Sequence, residues 1–154
     1  MLTIVSLEEK LEYLEEVATL TQKEWGKPNL SPKEFQEKVE RKMQKIKKSF
    51  GRKDYAKLIL LQDSDLVGFI SIFPTDGEER KDLTPWYATM FVKPEYRGKG
   101  YSKKLNHAIL EEAKKRNFER IYLKTNLENY YEKFGAIYLE KLKTGEKLYY
   151  FDLS

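Results

Sequence analysis

Apolar residues in the first third of the chain recur at helical spacing, with polar and charged residues between them. The first such set is Leu7, Leu11, Leu14 and Ala18. Intervals of three and four residues place these side chains on one face of an α-helix. Ser6 opens a Ser-x-x-Glu sequence that can form a capping box with Glu9. We therefore predict a first helix that runs from this box to about Trp25-Gly26.

A second helix is predicted from its own start and stop signals. The sequence Ser31-Pro32-Lys33-Glu34 repeats the capping box and places proline at the first helical position. The apolar stripe that follows is Phe35, Val39, Met43, Ile46 and Phe50. Gly51 ends the pattern, because glycine is common just past the end of a helix.

After Gly51 the helical spacing gives way to continuous apolar runs that are typical of buried strands. Tyr55–Gln62 and Leu66–Phe73 are two such runs, and the polar residues Asp63-Ser64-Asp65 between them predict a hairpin. Residues 74–85 are polar and contain glycine and proline, which indicates a loop.

The second half of the chain alternates strands and helices. Trp86–Val92 predicts a strand, Tyr101–Arg116 a helix and Arg120–Thr125 a further strand. The remaining elements are a short helix at Leu127–Phe134 and paired strands at Ala136–Leu142 and Lys147–Asp152. The order α-α-β-β-β-α-β-α-β-β predicts one mixed α/β domain over residues 1–154. The strand–helix–strand unit should be a right-handed crossover with parallel strands.

Composition excludes several classes of protein. The chain has 154 residues, 40% hydrophobic and 35% charged, with a net charge of +4 and no cysteine. Its apolar runs, such as Leu58–Leu61, are too short to span a bilayer, so we predict no membrane partner. Without cysteine there is no disulfide or cysteine nucleophile, and with His107 as the single histidine we predict no metal site. The chain does not begin with the pattern of a secretion signal, and we predict a cytoplasmic protein.

The turn between the strand Trp86–Val92 and the next helix has the chemistry of an anion site. A helix N-terminus presents unpaired N–H groups and a positive dipole. Gly98 and Gly100 lack a Cβ and can adopt positive φ, so their amides can approach an anion closely. The nearby cations are Lys93, Arg97, Lys99, Lys103 and Lys104. The glycine spacing is neither that of a P-loop nor that of a dinucleotide fingerprint. On spacing alone, a phosphate cradle and a plain turn with solvated lysines are equally favoured.

A resemblance to a known family decides between these readings. Arg97-Gly98-Lys99-Gly100-Tyr101-Ser102 matches Arg/Gln-x-x-Gly-x-small, the acetyl-CoA signature of the GNAT superfamily of N-acetyltransferases. Tyr130-Tyr131-Glu132-Lys133-Phe134-Gly135-Ala136 resembles that family's Tyr-Glu-Lys-x-Gly-Phe. The element order is also similar, so the resemblance covers most of the chain. Two departures are Ser102 in place of glycine or alanine and Ala136 in place of phenylalanine.

The resemblance implies a GNAT-like fold and acetyl-CoA as co-substrate. The pyrophosphate would lie on the amides of Arg97–Ser102, and the pantetheine arm along Met90–Val92, where that strand separates from Arg120–Thr125. An N–H group of Met90 or Phe91 would stabilise the oxyanion. The residues expected to bind acetyl-CoA are Met90, Phe91, Val92, Arg97, Gly98, Lys99, Gly100, Tyr101, Ser102 and Asn126.

Direct attack by an amine raises two proton questions. The leaving thiolate needs a proton, and the family motif assigns that role to Tyr131, with Tyr130 as the alternative one residue away. A primary amine with a pKa of about 10.4 must lose a proton before it attacks. The candidate bases by rough position are Glu24, Asp76, Glu79 and Asp82, and the sequence does not choose among them.

The acceptor is expected to be a primary amine of a small molecule or peptide. In this fold its site is built by the first two helices and the 74–85 loop, where no motif identifies it. Two other functions stay open: a non-catalytic acyl-CoA sensor, and a nucleic-acid-binding module that uses the basic run Arg41–Lys48. A solvated helix face is the favoured interpretation of that run, so a nucleic-acid partner is not expected. A homodimer is left open.

Overall fold

A computed structural model describes all residues from 1 to 154. Seven strands form one sheet in the order β1-β2-β3-β4-β5-β7-β6. The strands are β1 Leu2–Ser6, β2 Ala56–Gln62, β3 Asp65–Phe73, β4 Trp86–Val92, β5 Arg120–Thr125, β6 Ile137–Lys141 and β7 Lys147–Asp152. The helices are α1 Leu14–Trp25, α2 Pro32–Ser49 and α3 Tyr101–Lys115. The predicted mixed α/β fold is confirmed, and no helix is long and apolar enough to cross a membrane.

The start of the chain differs from the prediction. Residues Leu2–Ser6 form an edge strand antiparallel to β2, and the sequence analysis missed it. The Ser6 hydroxyl accepts from the Glu8 amide at 3.3 Å rather than from Glu9, and caps a single 3-10 turn. A second 3-10 turn follows at Leu11–Tyr13, so α1 begins only at Leu14. The apolar and β-branched residues of β1 favour a strand, and their backbone pairs with the N–H and C=O groups at the free edge of β2. The start of the chain is therefore a strand and not part of the helix.

The start of α2 agrees with the prediction in atomic detail. The Ser31 hydroxyl accepts from the Glu34 amide at 3.1 Å, and the Ser31 amide donates to the Glu34 carboxylate at 3.2 Å. This reciprocal pair satisfies two amides that have no partner inside the helix. The capping box therefore fixes where α2 begins.

The helices cover the two faces of the sheet separately. The stripes of α1 and α2 pack on one face, where Val17 and Val39 join a core with Ile59 and Phe69. The stripe of α3 packs on the opposite face, where Leu105 and Ile109 join a larger core. We call these the α1/α2 face and the α3 face.

The predicted helix Leu127–Phe134 is wrong in length. Only Tyr131–Phe134 is helical, as a 3-10 turn that ends at Gly135 with φ +98°. The preceding residues form a turn, because the Leu127 amide donates to the Thr125 hydroxyl at 3.0 Å and Asn129 has φ +56°. These local bonds compete with the helical pattern.

The parallel crossover is present, and its two strands separate almost at once. β4 and β5 pair at one position, Trp86 with Tyr122. On its other side, β4 carries a bulge in which Thr89, with φ +49°, and Met90 both stand opposite Ile70. A bulge bends and twists its strand. Beyond Trp86, the edge of β4 that faces β5 therefore lies free along a gap.

Candidate active site

The turn that leads into α3 lies at the carboxyl end of the free β4 edge. Gly98 and Gly100 have φ +79° and +80°, in the left-handed region that side chains other than glycine rarely adopt. A Cβ at either glycine would meet no protein atom within 4 Å, so the space outside this backbone is open. No side chain caps the N-terminus of α3. Its first amides and its dipole are therefore available to an anion.

A cavity of about 270 Å³ connects this turn with the β4 edge. Its lining residues are Glu24, Met90, Phe91, Val92, Tyr96, Arg97, Gly98, Gly100, Tyr101, Ser102 and Tyr130. The structure thus brings together eight of the ten residues expected to bind acetyl-CoA. Lys99 and Asn126 do not line the cavity, whereas Glu24 and Tyr96, which the sequence did not assign to acetyl-CoA, do. A larger hollow of about 520 Å³ lies on the outer surface of α2, but only polar and charged side chains line it and it is remote from the turn.

Arg97 is committed to a contact within the protein. Its Nε donates to the Val92 carbonyl at 2.8 Å, and its guanidinium lies 5.7 Å from the centre of the Phe91 ring. The side chain therefore ties the turn to the end of β4. It also adds a positive charge to the cavity wall.

Two neighbouring tyrosines occupy different positions. Tyr130 lines the cavity, with its hydroxyl 3.4 Å from the Ser102 hydroxyl. Tyr131 lies behind it, with its ring centre 4.8 Å from that of Tyr130 and 5.7 Å from that of Tyr87. Burial, with a smaller contribution from Tyr130, raises the pKa of Tyr131 to about 12. Tyr131 is therefore protonated at neutral pH and able to donate.

Two of the four candidate bases hold other parts of the structure together. Glu79 accepts from the Lys143 and Thr144 amides at 2.9 and 3.1 Å, in the turn between β6 and β7. Asp82 pairs with Arg80, whose hydrogen bonds hold the pKa of Asp82 below its usual value. Both carboxylates are engaged, so neither is free to take a proton from an amine.

The other two candidate bases are less constrained. Glu24 lines the cavity from the end of α1. Asp76 is half-buried, with an oxygen 4.0 Å from the Lys124 amine. Burial raises the pKa of Asp76, against the opposing effect of Lys124.

A buried polar row that the sequence analysis missed crosses the α1/α2 face. Lys57 on β2 stands opposite Ser71 on β3, and the Ser71 hydroxyl lies 2.6 Å from that of Thr89 on β4. Lys57 is 2% exposed and Ser71 fully buried. The only sequence signal is a polar residue inside each of two apolar strands. Only the register between the strands shows that these residues meet.

Comparisons with known proteins agree with this geometry. The model of the acetyltransferase (GNAT) family matches residues 14–136. The spermine/spermidine N(1)-acetyltransferase of Bacillus subtilis (strain 168) is 32% identical over 103 residues, which cover 61% of this chain and 68% of that protein.

Solved structures share the fold over nearly the whole chain. The PaiA N-acetyltransferase from Thermoplasma acidophilum, in complex with coenzyme A, has a TM-score of 0.67 and 22% identity, with 99% of each chain covered. The spermidine/spermine N-acetyltransferase SpeG from Vibrio cholerae, in mutant form, has a TM-score of 0.72 and 18% identity, with 99% of this chain and 95% of that chain covered. The chain therefore belongs to the acetyltransferase (GNAT) family and is an acetyl-CoA-dependent N-acetyltransferase.

Proposed function

We propose that this enzyme transfers the acetyl group of acetyl-CoA to a primary amine of a small molecule or peptide by direct attack, with Tyr131 as general acid. The observation that carries the proposal is the position of the open glycine turn at the end of the free β4 edge. Acetyl-CoA contains a pyrophosphate, which would bind the turn, and an extended arm with amide groups, which would pair with the strand edge. It therefore needs these two surfaces side by side.

Binding of acetyl-CoA follows from backbone groups. The amides around Gly98 and Gly100 would receive the pyrophosphate, because no Cβ obstructs them and no side chain competes for them. The unpaired groups of Met90–Val92 would pair with the amides of the pantetheine arm, as a sheet edge pairs with an added strand. Arg97 supports the site by its tie to Val92.

The thioester would then lie beside the β4 bulge. An amide of Met90 or Phe91 can donate to the carbonyl oxygen as negative charge develops there. In a regular strand, successive amides point alternately toward the strands on either side. The bulge at Thr89 interrupts this alternation for the amides that follow it. An amide that the bend turns toward the gap would donate to that oxygen.

Tyr131 would protonate the departing thiolate. Its hydroxyl makes no hydrogen bond within the protein, so its proton is not committed elsewhere, and a pKa of about 12 keeps that proton in place at neutral pH. Tyr130 is the alternative donor, because its ring lines the cavity directly. A variant of each residue distinguishes them.

The α1/α2 face would receive the amine. Asp76 and Glu146 each lie 4.0 Å from Lys124 near the carboxyl end of β5, and Trp25 packs edge-on against Phe69 and Phe91 at the end of α1. Carboxylates and aromatic faces both attract ammonium groups. Together with the relative named for spermine and spermidine, this makes polyamines the first acceptors to examine.

The test is acetyl-CoA turnover against a panel of amines that includes polyamines, amino sugars and peptide N-termini. We expect release of coenzyme A with at least one acceptor, and its acetylated product by mass spectrometry. Binding of acetyl-CoA without release for every amine would favour a sensor. Strongly salt-dependent binding of DNA or RNA would favour the nucleic-acid module.

A further inference from the structure

The buried row on the α1/α2 face places an unpaired amine beside a pair of hydroxyl groups. The Lys57 amine lies 5.4 Å from the ring centres of both Phe69 and Phe73. These rings belong to the residues two positions before and after Ser71 on β3, on the same face of the sheet. The amine must therefore lie over Ser71, which is also the cross-strand partner of Lys57.

No carboxylate pairs with Lys57, and the only groups that favour its charged form are the two phenylalanine rings. It forms no ion pair or hydrogen bond, and the hydroxyl of Tyr55, just before β2, is buried without a hydrogen-bond partner. The charged group that bears on it is Lys42 of α2, which repels it. Burial, followed by this repulsion, lowers the pKa of Lys57 to about 7. A lysine in this state can accept a proton at neutral pH, which an ordinary lysine cannot.

The other end of the row lies on β4, next to Met90 of the cavity wall. Thr89 is the bulged residue of β4, the strand whose free edge borders the gap, and it is half-buried. Its hydroxyl lies 2.6 Å from that of fully buried Ser71. The two hydroxyls can each donate to one neighbour and accept from another. A proton could therefore pass along the two hydroxyls between β4 and the position of the lysine amine.

We propose that Lys57 accepts, through Ser71 and Thr89, the proton that the substrate ammonium must lose before it attacks acetyl-CoA. The inference rests on the proposed amine acceptor and deepens the mechanism at the same site. Lys57 acts through two hydroxyls and does not itself touch the substrate.

The proton transfer balances along the row. The ammonium N–H bond breaks and its proton goes to the Thr89 oxygen, while the Thr89 proton goes to Ser71 and the Ser71 proton to Lys57. The amine keeps the electron pair with which it attacks, and Lys57 becomes an ammonium group that later loses its proton to solvent. For the last transfer, the flexible end of the lysine side chain must rotate down onto the Ser71 hydroxyl.

The test is the pH dependence of kcat/KM for the amine in Lys57→Met, at saturating acetyl-CoA. In the wild type we expect the rate to fall as the pH drops through about 7, where Lys57 becomes protonated. Lys57→Met should lower the rate above that pH by about 10²-fold and remove this acidic limb, while acetyl-CoA affinity by calorimetry is unchanged. A variant that keeps the limb and the rate would overturn the proposal.

Ser71→Ala keeps the lysine and breaks the row, so it tests the proposal even if Lys57→Met does not fold. We expect the same loss of rate. Ser71→Ala with wild-type kinetics would mean that protons do not travel along the row, and the proposal fails.

Lys42→Met is the matched control, because it removes a neighbouring lysine that lies outside the row. Loss of its repulsion should raise the pKa of Lys57 and move the acidic limb to higher pH, with the plateau rate unchanged. NMR of lysines labelled at the ε-carbon should show the same upward movement in the titration of Lys57. An acidic limb that stays in place while that titration moves would assign the limb to another group and overturn the proposal.

Failure of the proposed function would look different. In that case the wild type would acetylate no amine in the panel at any pH. If the wild type is active and the Lys57 and Ser71 variants match it, the proposed function stands and the relay alone is wrong.

Discussion

The acetyl-CoA side and the amine side of the gap are built in different ways. The proposed acetyl-CoA side is mainly one continuous segment, residues 90–102, and it would act through backbone groups that Gly98 and Gly100 leave open. The proposed amine side would be assembled from α1, the 74–85 loop and the β6–β7 hairpin, and side chains such as Glu79 and Arg80 join the loop to the hairpin. A site formed by the backbone of one segment depends on the local sequence, so a motif can predict it. A site formed by side chains from separate segments depends on strand register and loop packing, which no short motif predicts.

Gly100→Val should have the largest effect, on the acetyl-CoA side. The substitution strains a residue with φ +80° and places a branched side chain in the open space of the turn. We expect acetyl-CoA affinity by calorimetry to fall by about 10³-fold, which corresponds to the loss of two charge-assisted hydrogen bonds at roughly 2 kcal/mol each.

Gly51→Val is the control for backbone strain. Gly51 has φ +89°, its Cβ would also meet no protein atom within 4 Å, and it lies after α2, away from the cavity. Gly51→Val should lower the melting temperature about as much as Gly100→Val and leave the affinity for acetyl-CoA unchanged. Equal affinities in the two folded variants would contradict the cradle.

Tyr131→Phe should have the next largest effect, on turnover and not on binding. The ring and its contacts with Tyr87 and Tyr130 remain, and only the proton donor is lost. We expect kcat to fall by about 10²-fold, at the lower end of the range for a positioned general acid, because the thiolate is a good leaving group. Tyr130→Phe is the matched control. A large loss in Tyr130→Phe alone would move the role to Tyr130.

Arg97→Ala should weaken acetyl-CoA binding by about tenfold, because it removes one charge-assisted contact and the tie to Val92. Arg97→Gln separates these two contributions, since glutamine can still donate to the Val92 carbonyl but carries no charge. If the tie matters most, Arg97→Gln should bind nearly as well as the wild type. Affinity equally reduced in both variants would assign the effect to the charge.

Glu79→Ala should have the smallest effect and affect only the amine side. It removes two hydrogen bonds that join the 74–85 loop to the β6–β7 turn, at a cost in unfolding free energy of about 1–3 kcal/mol. We expect KM for the amine to rise a few-fold with acetyl-CoA affinity unchanged. Glu78→Ala is the control, because Glu78 is exposed and pairs only with Lys81 at the surface. A change in acetyl-CoA affinity in Glu79→Ala would show that the two sides are not independent.

The parts of the fold that the sequence predicted are those with local signals. The capping box fixed α2, and the glycine turn and apolar run located β4 and α3. Strand β1 was missed because its pairing partner, β2, lies more than fifty residues away, and a capping sequence follows it directly. The helix at 127–134 was overestimated because side chain-to-backbone bonds in the turn compete with helical spacing.

The candidate site divides in the same way. The motif around Arg97–Ser102 pointed to the residues that line the cavity, because backbone geometry and sequence coincide there. It could not show that Tyr130 lines the cavity while Tyr131 packs behind it, since adjacent residues on a 3-10 turn point in directions roughly 120° apart. The Lys57–Ser71–Thr89 row could not be predicted at all, because it depends on the register of three strands.

Because β4 and β5 pair at a single position, acetyl-CoA bound in the gap would also stabilise the fold. The sheet consists of a four-strand sector and a three-strand sector that share this one backbone junction. A bound pantetheine arm would clamp the open side of the junction, so occupancy and resistance to unfolding should rise together. By mass action, ligand at a hundred times its Kd adds about 2.7 kcal/mol. The survival of this protein under heat or protease would then report the local supply of acetyl-CoA.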